Sequence, residues 1–269
     1  MILPADSHVH TEWSWDARAG DMVATCARAI ELGVPAVAFT EHVDHTDWFQ
    51  EPDSDVAPAP FDAAGYLAAV AECRDRFPGL RILSGAELGE PHWHADAVAR
   101  VLAAGGLERV LGSLHCLPLP DGSGYAEPPR LFAVRDDEDP AGVVRDYLRE
   151  TVALVEGSDA FAVLAHVDYP LRAWPAAAGP LDVTRFEDKL RDVLGALAAS
   201  GRALEVNTRR PLEIDVVRWW HDEGGDAVSF ASDAHSPDAL AHGFADAVRL
   251  AESCGFRPGR SPVDLWGRT

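Results

Sequence analysis

No stretch of this 269-residue chain approaches eighteen uninterrupted apolar residues, so no membrane-spanning helix is expected. There is no CxxC pair either. Cys26, Cys73, Cys116 and Cys254 are scattered, which points to reduced, buried thiols in a cytoplasmic protein and away from a disulfide frame or zinc finger. The opening MILPADSH lacks a basic region followed by an apolar run, so no signal peptide is expected. Positive charge is scarce: 23 Lys and Arg face 44 Asp and Glu, a formal net charge of −21. That balance repels nucleic-acid backbones and anionic membranes as non-specific partners. It leaves room for a small phosphorylated substrate, because clustered metal ions reverse the sign inside a pocket. No composition shift, low-complexity segment or close repeat divides residues 1–269, which are expected to form a single domain.

What the chain does contain is a regular alternation of short apolar runs and helical periods. After the opening strand, GDMVATCARAIELG (20–33) places Met22, Cys26, Ala29 and Ile30 on one stripe, with Gly33 as its stop. PAVAFTEH, LRILSGAELGE, ERVLGSLHC, DAFAVLAHVD, GRALEVNT and GDAVSFASDAH read as further strands. Helices are expected over 61–79 and near 94–106, 140–156, 182–200, 211–223 and 238–254. About seven strand–helix units result, which implies a parallel sheet with helices outside, closed as a TIM-like barrel or open and doubly wound. No Gly-rich phosphate fingerprint follows the first strand, which disfavours the open nucleotide-binding form. Residues 43–60 and 117–130 are rich in Pro, Asp and Gly and read as loops on one rim.

Metal-ligand residue types recur where these strands end. The first carries His8 and His10 at spacing i, i+2, which turns both rings to one face. Later ends bring Glu41 and His42, then Glu87, His115, His166 with Asp168, and finally Asp233 with His235. In parallel α/β barrels catalytic groups gather at the C-terminal strand ends. So many imidazoles and carboxylates there point to a multinuclear metal site, for which zinc, iron or manganese suit the donor types. A carboxylate such as Glu87 can bridge two ions about 3.5–4 Å apart. Asp6 shares the His8 face and is expected to orient a histidine from behind. Arg172, Arg209 and Arg210 follow the fifth and sixth strands, where a planar guanidinium can grip a phosphate.

The ordered motifs HVHT (8–11), TEH (40–42), GAE (85–87), GSLH (112–115), AHVD (165–168) and SDAH (232–235) resemble the polymerase-and-histidinol-phosphatase (PHP) superfamily, specifically its free-standing histidinol-phosphatase-like branch. The resemblance implies a distorted (β/α)7 barrel. It implies three divalent metal ions: one held by His8, His10, Glu87 and Asp233, one by Glu87, His115 and His166, and one by Asp16, His42 and His235. It also implies Arg172 and Arg209 as the phosphate pair. The implied reaction is hydrolysis of a small phosphate monoester, with L-histidinol phosphate the best single substrate, by a hydroxide between two metals. Nucleotide phosphates, other small phosphoesters and a non-catalytic metal-binding module are the alternatives.

Glu41 is a candidate acceptor for the imidazole or ammonium group of such a substrate, or a structural hydrogen-bond partner. Asn207 would contact substrate or fix Arg209. His92, His94, His221 and His242 are expected on the rim or surface, His45 is a candidate substrate contact, and Trp13, Trp15, Trp48 and Trp93 are candidates for an aromatic wall. Trp219 and Trp220 are adjacent on a helix, so at least one should pack inward.

Overall fold

The computed structural model describes residues 3–49, 59–135 and 140–269. Part of the rim loop expected over 43–60, and the Trp48 side chain with it, lies outside them.

The strand expectations hold. Seven strands pair in parallel in simple sequential order: β1 (Asp6–Val9), β2 (Ala36–Val43), β3 (Arg81–Gly89), β4 (Arg109–Ser113), β5 (Val163–Leu164), β6 (Ala203–Asn207) and β7 (Ala227–Ala231). Short antiparallel strands, Trp266–Arg268 and then Phe256–Arg257, extend the sheet beyond β7. The sheet curls until its ends meet. Val9 and Ala234 form a parallel bridge, in which His10 N donates to Ala234 O (2.8 Å) and Asp233 N donates to His8 O (2.9 Å). That closure sets the HVH and SDAH motifs side by side.

The strands are buried on both faces, as parallel sheets require. Gly85 of the GAE motif has a packing reason: a Cβ there would strike Arg109 O and the Thr40 methyl, so β2, β3 and β4 lie this close only around glycine.

Helices cover the sheet. Asp21 caps α1 (Met22–Leu32), its side chain accepting from Ala24 N at 2.7 Å, and Gly33 ends it in the left-handed conformation. Ile30, read as part of the α1 core stripe, is exposed; the buried face is Met22, Thr25, Cys26 and Ala29. Helix α2 (Pro140–Gly157) buries Val144, Tyr147, Leu148, Thr151, Leu154 and Val155 at the i, i+3, i+4 spacing of one face. It packs on α3 (Glu187–Ala199), and both contribute to the larger hydrophobic cluster. Helix α4 (Ile214–Asp222) buries both Trp219 and Trp220.

The rim loops are more ordered than their composition suggests. Leu117–Pro118 and Tyr125–Ala126 form an antiparallel pair, and Trp48–Phe49 adds to it in parallel, so the two loops share one small sheet. Residues 128–134, partly assigned to a loop, form a short helix (Pro128–Val134) that starts with two prolines, which suit a first helical turn.

Candidate metal centre

At the C-terminal ends of the seven parallel strands the polar side chains converge on Glu87. Register does much of the positioning: His42 on β2 is the direct neighbour of Glu87 on β3. Glu87 Oε2 faces His8 Nε2 (3.2 Å), His10 Nε2 (3.4 Å) and His42 Nδ1 (3.2 Å). Its other oxygen, Oε1, faces His115 Nε2 (3.1 Å) and His166 Nε2 (2.7 Å). Asp233 Oδ1 lies 3.7 Å from His10 Nε2, and Asp16 Oδ2 lies 3.0 Å from His235 Nε2 and 3.5 Å from His42 Nε2. All nine candidate ligands, the strand-end residues and Asp16 from the resemblance, therefore lie in one cluster.

Partners behind the rings fix their tautomers. His8 Nδ1 donates to Glu205 Oε2 (2.8 Å) and His115 Nδ1 donates to Asp44 Oδ1 (3.1 Å). Ser14 Oγ donates to Glu41 Oε2 (2.6 Å), so it receives a proton from His10 Nδ1 at 2.9 Å. His235 Nδ1 lies between the Asp233 carbonyl (3.0 Å) and Arg209 Nη1 (3.2 Å). In the neutral form, the first three of these rings turn an Nε2 lone pair toward the shared centre, the form in which imidazole binds metal.

This arrangement fits cations better than it fits itself. His8 and His10 Nε2 stand 2.9 Å apart, and buried Glu87 Oε2 accepts no hydrogen bond although three imidazole nitrogens surround it. A carboxylate oxygen and ligand-tautomer nitrogens packed this closely repel unless positive charge lies among them. Three groups of donors have atoms close enough to share an ion: His8, His10 and Asp233; His42, Glu87 and His115; and His10, His42 and His235. Imidazole and carboxylate without thiolate suit zinc, iron or manganese.

Electrostatics carry the same signature. Burial opposes ionisation of Glu87, but His8, His115 and His42 outweigh it and hold the carboxyl well below its usual range. Burial likewise opposes a charge on His42, yet Asp16, Glu87 and Asp44 raise it to about 9. For His10 burial and the neighbouring His42 and His235 act together and push it well down. Strain is concentrated here too. Glu90 and Asp233 adopt positive φ, 43° and 54°, which costs non-glycine residues about 1–3 kcal/mol each and persists where surrounding contacts hold it.

The cluster forms the floor of a cavity of about 410 Å³. Arg172 and Arg209 line it, as the rim position predicted. Arg172 Nη1 donates to Asp233 Oδ2 (2.7 Å), while its buried Nε and Nη2 have no hydrogen-bond partner. The Tyr169 ring lies 5.3 Å from its guanidinium carbon. Arg209 Nη1 lies 3.5 Å from Asp233 Oδ1, whereas Arg210 sits 3.8 Å from Glu213 in a surface pair.

Two expected substrate contacts sit elsewhere. Glu41 is fully buried and does not line the cavity; its oxygens accept from Thr11 N (2.9 Å), Thr11 Oγ1 (2.6 Å) and Ser14 Oγ, because strand alternation turns it from the His42 face. Asn207 is also fully buried: its amide donates to Glu205 Oε1 (2.8 Å) and its carbonyl accepts from Arg209 N (2.9 Å), so it fixes Arg209 rather than reaching the cavity. His45, His92 and His94 lie outside the cavity lining; His92 pairs with Glu150 and His94 with Thr46. Among the described tryptophan side chains, Trp15 alone lines it.

Asp6 supports the centre from behind, but by bracing a turn and not by orienting a histidine ring. It accepts from Ser232 N (3.0 Å), Ser232 Oγ (2.5 Å) and Ala241 N (2.9 Å), bracing the turn that carries Asp233. Three acids that sequence reasoning passed over do comparable work. Asp44 and Glu205 hold ligand rings, and Glu90 accepts from the backbone N–H groups of His115 (2.6 Å) and Cys116 (3.2 Å). Asp44 falls two residues after His42, and Glu205 is the single acid in the apolar run ALEV; both were visible signals.

Comparison with known proteins agrees with this geometry. The PHP domain family matches residues 6–209. A probable histidinol-phosphatase of Deinococcus radiodurans is 28% identical over 265 residues, covering 94% of both chains. One from Clostridium acetobutylicum is 24% identical over 266 residues, again with 94% of each chain covered. Among solved structures, a histidinol phosphate phosphatase of Lactococcus lactis complexed with zinc, L-histidinol and phosphate superposes with a TM-score of 0.77 at 20% identity, covering 98% of this chain and 99% of that one. The putative histidinol phosphatase of Listeria monocytogenes gives 0.76 at 16% identity, covering 90% and 99%. The structural likenesses establish a shared α/β fold, and the family match over most of the length decides membership: the chain belongs to the PHP domain family.

Proposed function

We propose that this protein is a metal-dependent phosphomonoesterase that hydrolyses L-histidinol phosphate to L-histidinol and phosphate. The observation that carries the reading is the convergence of five imidazoles on Glu87 beneath a cavity whose wall bears Arg172 and Arg209. The relatives' names supply the substrate. The fold reading that accompanies it is a distorted (β/α)7 barrel in a single domain, supported by the sequential parallel strands and the Val9–Ala234 bridge. Four buried free cysteines accord with a cytoplasmic protein.

Three divalent ions are assigned to the cluster: one to His8, His10, Glu87 and Asp233, one to Glu87, His115 and His166, one to Asp16, His42 and His235. When bound, such ions polarise phosphoryl oxygens and bring the pKa of water from about 15.7 towards 7. The chain's own residues do the rest. Arg172 offers its unpartnered Nε and Nη2 to phosphate oxygens, with the Tyr169 ring packed 5.3 Å from its guanidinium carbon. Arg209, fixed at its backbone by Asn207, neutralises a further oxygen as charge redistributes during in-line displacement. Asp233, gripped by both arginines, keeps them aimed at the cavity before substrate arrives.

Reconstitution with zinc, iron or manganese, followed by kcat/KM for L-histidinol phosphate, nucleoside monophosphates and phosphodiesters, tests the proposal. L-Histidinol phosphate is expected to lead. Preference for nucleotides overturns the substrate, and absence of turnover on every phosphoester overturns the enzyme.

A further inference from the structure

The cavity is lined by four carboxylates, and three of them, Asp16, Glu87 and Asp233, face the imidazoles of the metal cluster. The fourth is Glu127, which belongs to none of the metal-donor groups among the described residues. We propose that Glu127 is the specificity determinant of the cavity: its carboxylate receives the cationic amine of the leaving group while the phosphate is held by Arg172 and Arg209. This deepens the phosphomonoesterase reading and rests on it.

The fold places Glu127 firmly. Ala126, immediately before it, is fully buried and paired with Leu117 and Phe49 in the small sheet that unites the two rim loops. Immediately after it comes Pro128, and the Glu127 carbonyl accepts from Leu131 N at 3.0 Å in the first turn of the short helix. A strand before and a helix turn after leave the residue at the cavity wall. Its charge reaches the phosphate end as well: burial first, and then Glu127, push the Tyr169 phenol up, and Tyr169 is the ring beneath Arg172 and 5.1 Å from His166. The cavity thus has cationic groups for a phosphate and a carboxylate on the rim side. Complementarity of that kind selects a zwitterionic phosphoester over one with a neutral or anionic leaving group.

The test compares L-histidinol phosphate, its analogue lacking the amine, and p-nitrophenyl phosphate on the metal-loaded wild type, Glu127→Gln and Glu127→Asp. The expected result is a loss of about 10- to 100-fold in kcat/KM for L-histidinol phosphate in Glu127→Gln, carried by KM. Both amine-free substrates should change less than about threefold, and Glu127→Asp should restore part of the loss. An equal loss on all three substrates overturns the proposal, because the residue then supports the centre as a whole. If wild type prefers the amine and Glu127→Gln keeps that preference, the Glu127 assignment fails and the substrate stands. If wild type ignores the amine, both fail.

Discussion

Asp44 Oδ1 hydrogen-bonds His115 Nδ1 at 3.1 Å while Asp44 Oδ2 stands 3.3 Å from His42 Nδ1, so one carboxylate places its charge beside two rings of the centre. Burial alone would favour its neutral form, but His42 and His115 hold the carboxyl below the usual range. Trp15 Nε1 donates to the same Oδ2 at 2.8 Å, linking the pair to the cavity wall. Asp44→Asn removes the charge that makes both rings stronger donors and swaps one acceptor oxygen for an amide donor. Metal affinity should fall about 10- to 100-fold, as competition against a chromophoric chelator would report. Unchanged affinity would mean the carboxylate plays no part in positioning the ligands.

Glu87 touches more of the cluster than any single histidine does, since Oε2 faces three imidazoles and Oε1 two more. His235 instead faces Asp16 and the Asp233 side of the site and belongs to one donor group, with His10 and His42. On the proposed three-ion assignment, Glu87→Gln should lose about two ions and His235→Ala about one, since a bridging carboxylate serves two ions. Elemental analysis after equilibration at a fixed free-metal concentration gives the counts. Equal losses from both variants would contradict the bridging role.

Arg172 and Arg209 make different contributions. Arg172 is largely buried, with two nitrogens free for phosphate, whereas Arg209 is half exposed. Removing a charged donor from a dry site costs about 1.5–3 kcal/mol per lost bond, so Arg172→Ala should lower kcat/KM about 100-fold or more. Lysine should restore little, because it lacks the planar fork. Arg209→Ala should lose less, and Arg210→Ala, which breaks only a surface pair, less than about threefold. Inhibition by inorganic phosphate should weaken in the same order.

The candidate ligands were legible because two periodicities coincide. Strand alternation places His8 with His10, and the βα repeat delivers the later motifs to the same end of the sheet, where Asp233 and His235 follow β7 on a turn. What supports them was less legible. Glu205 reaches His8 across 197 residues of sequence, and no local pattern in ALEVN names that partner. The small rim sheet escaped for another reason: two-residue strands such as Leu117–Pro118 have no period to read. Ile30 fell off the α1 core stripe because that narrow face is filled by Met22, Thr25, Cys26 and Ala29.

Glu41 gives a sharp contrast with a substrate contact. Thr11 and Ser14 direct three hydrogen bonds at its two oxygens, and Ser14 in turn receives His10 Nδ1 and His42 N. Glu41→Gln turns an amide donor toward those donors and leaves a buried group unpaired, which costs about 1–3 kcal/mol. The unfolding midpoint in urea should drop, while the ratio of kcat/KM between L-histidinol phosphate and p-nitrophenyl phosphate stays constant. A changed ratio would return Glu41 to the substrate.

Glu108 supplies a pH-dependent contribution remote from the centre. Its Oε2 accepts from Ser84 N and Ser84 Oγ, both at 3.1 Å, and pairs with Arg74, tying β3 to the segment that enters β4. Burial works against its charge, but the Ser84 and Arg74 contacts prevail and hold the carboxyl below its ordinary value of 4.5. With the folded value below the unfolded one, the unfolded chain binds the proton more readily. The stabilisation is therefore present above about pH 4.5 and lost as pH falls through the depressed folded value. Solvent at this half-exposed site limits it to about 1 kcal/mol. Glu108→Gln should lie below wild type by that amount in urea unfolding at pH 7, and the gap should narrow as the pH is lowered below about 4. A gap of constant size across that range would assign the effect to side-chain shape and remove the charge from the account.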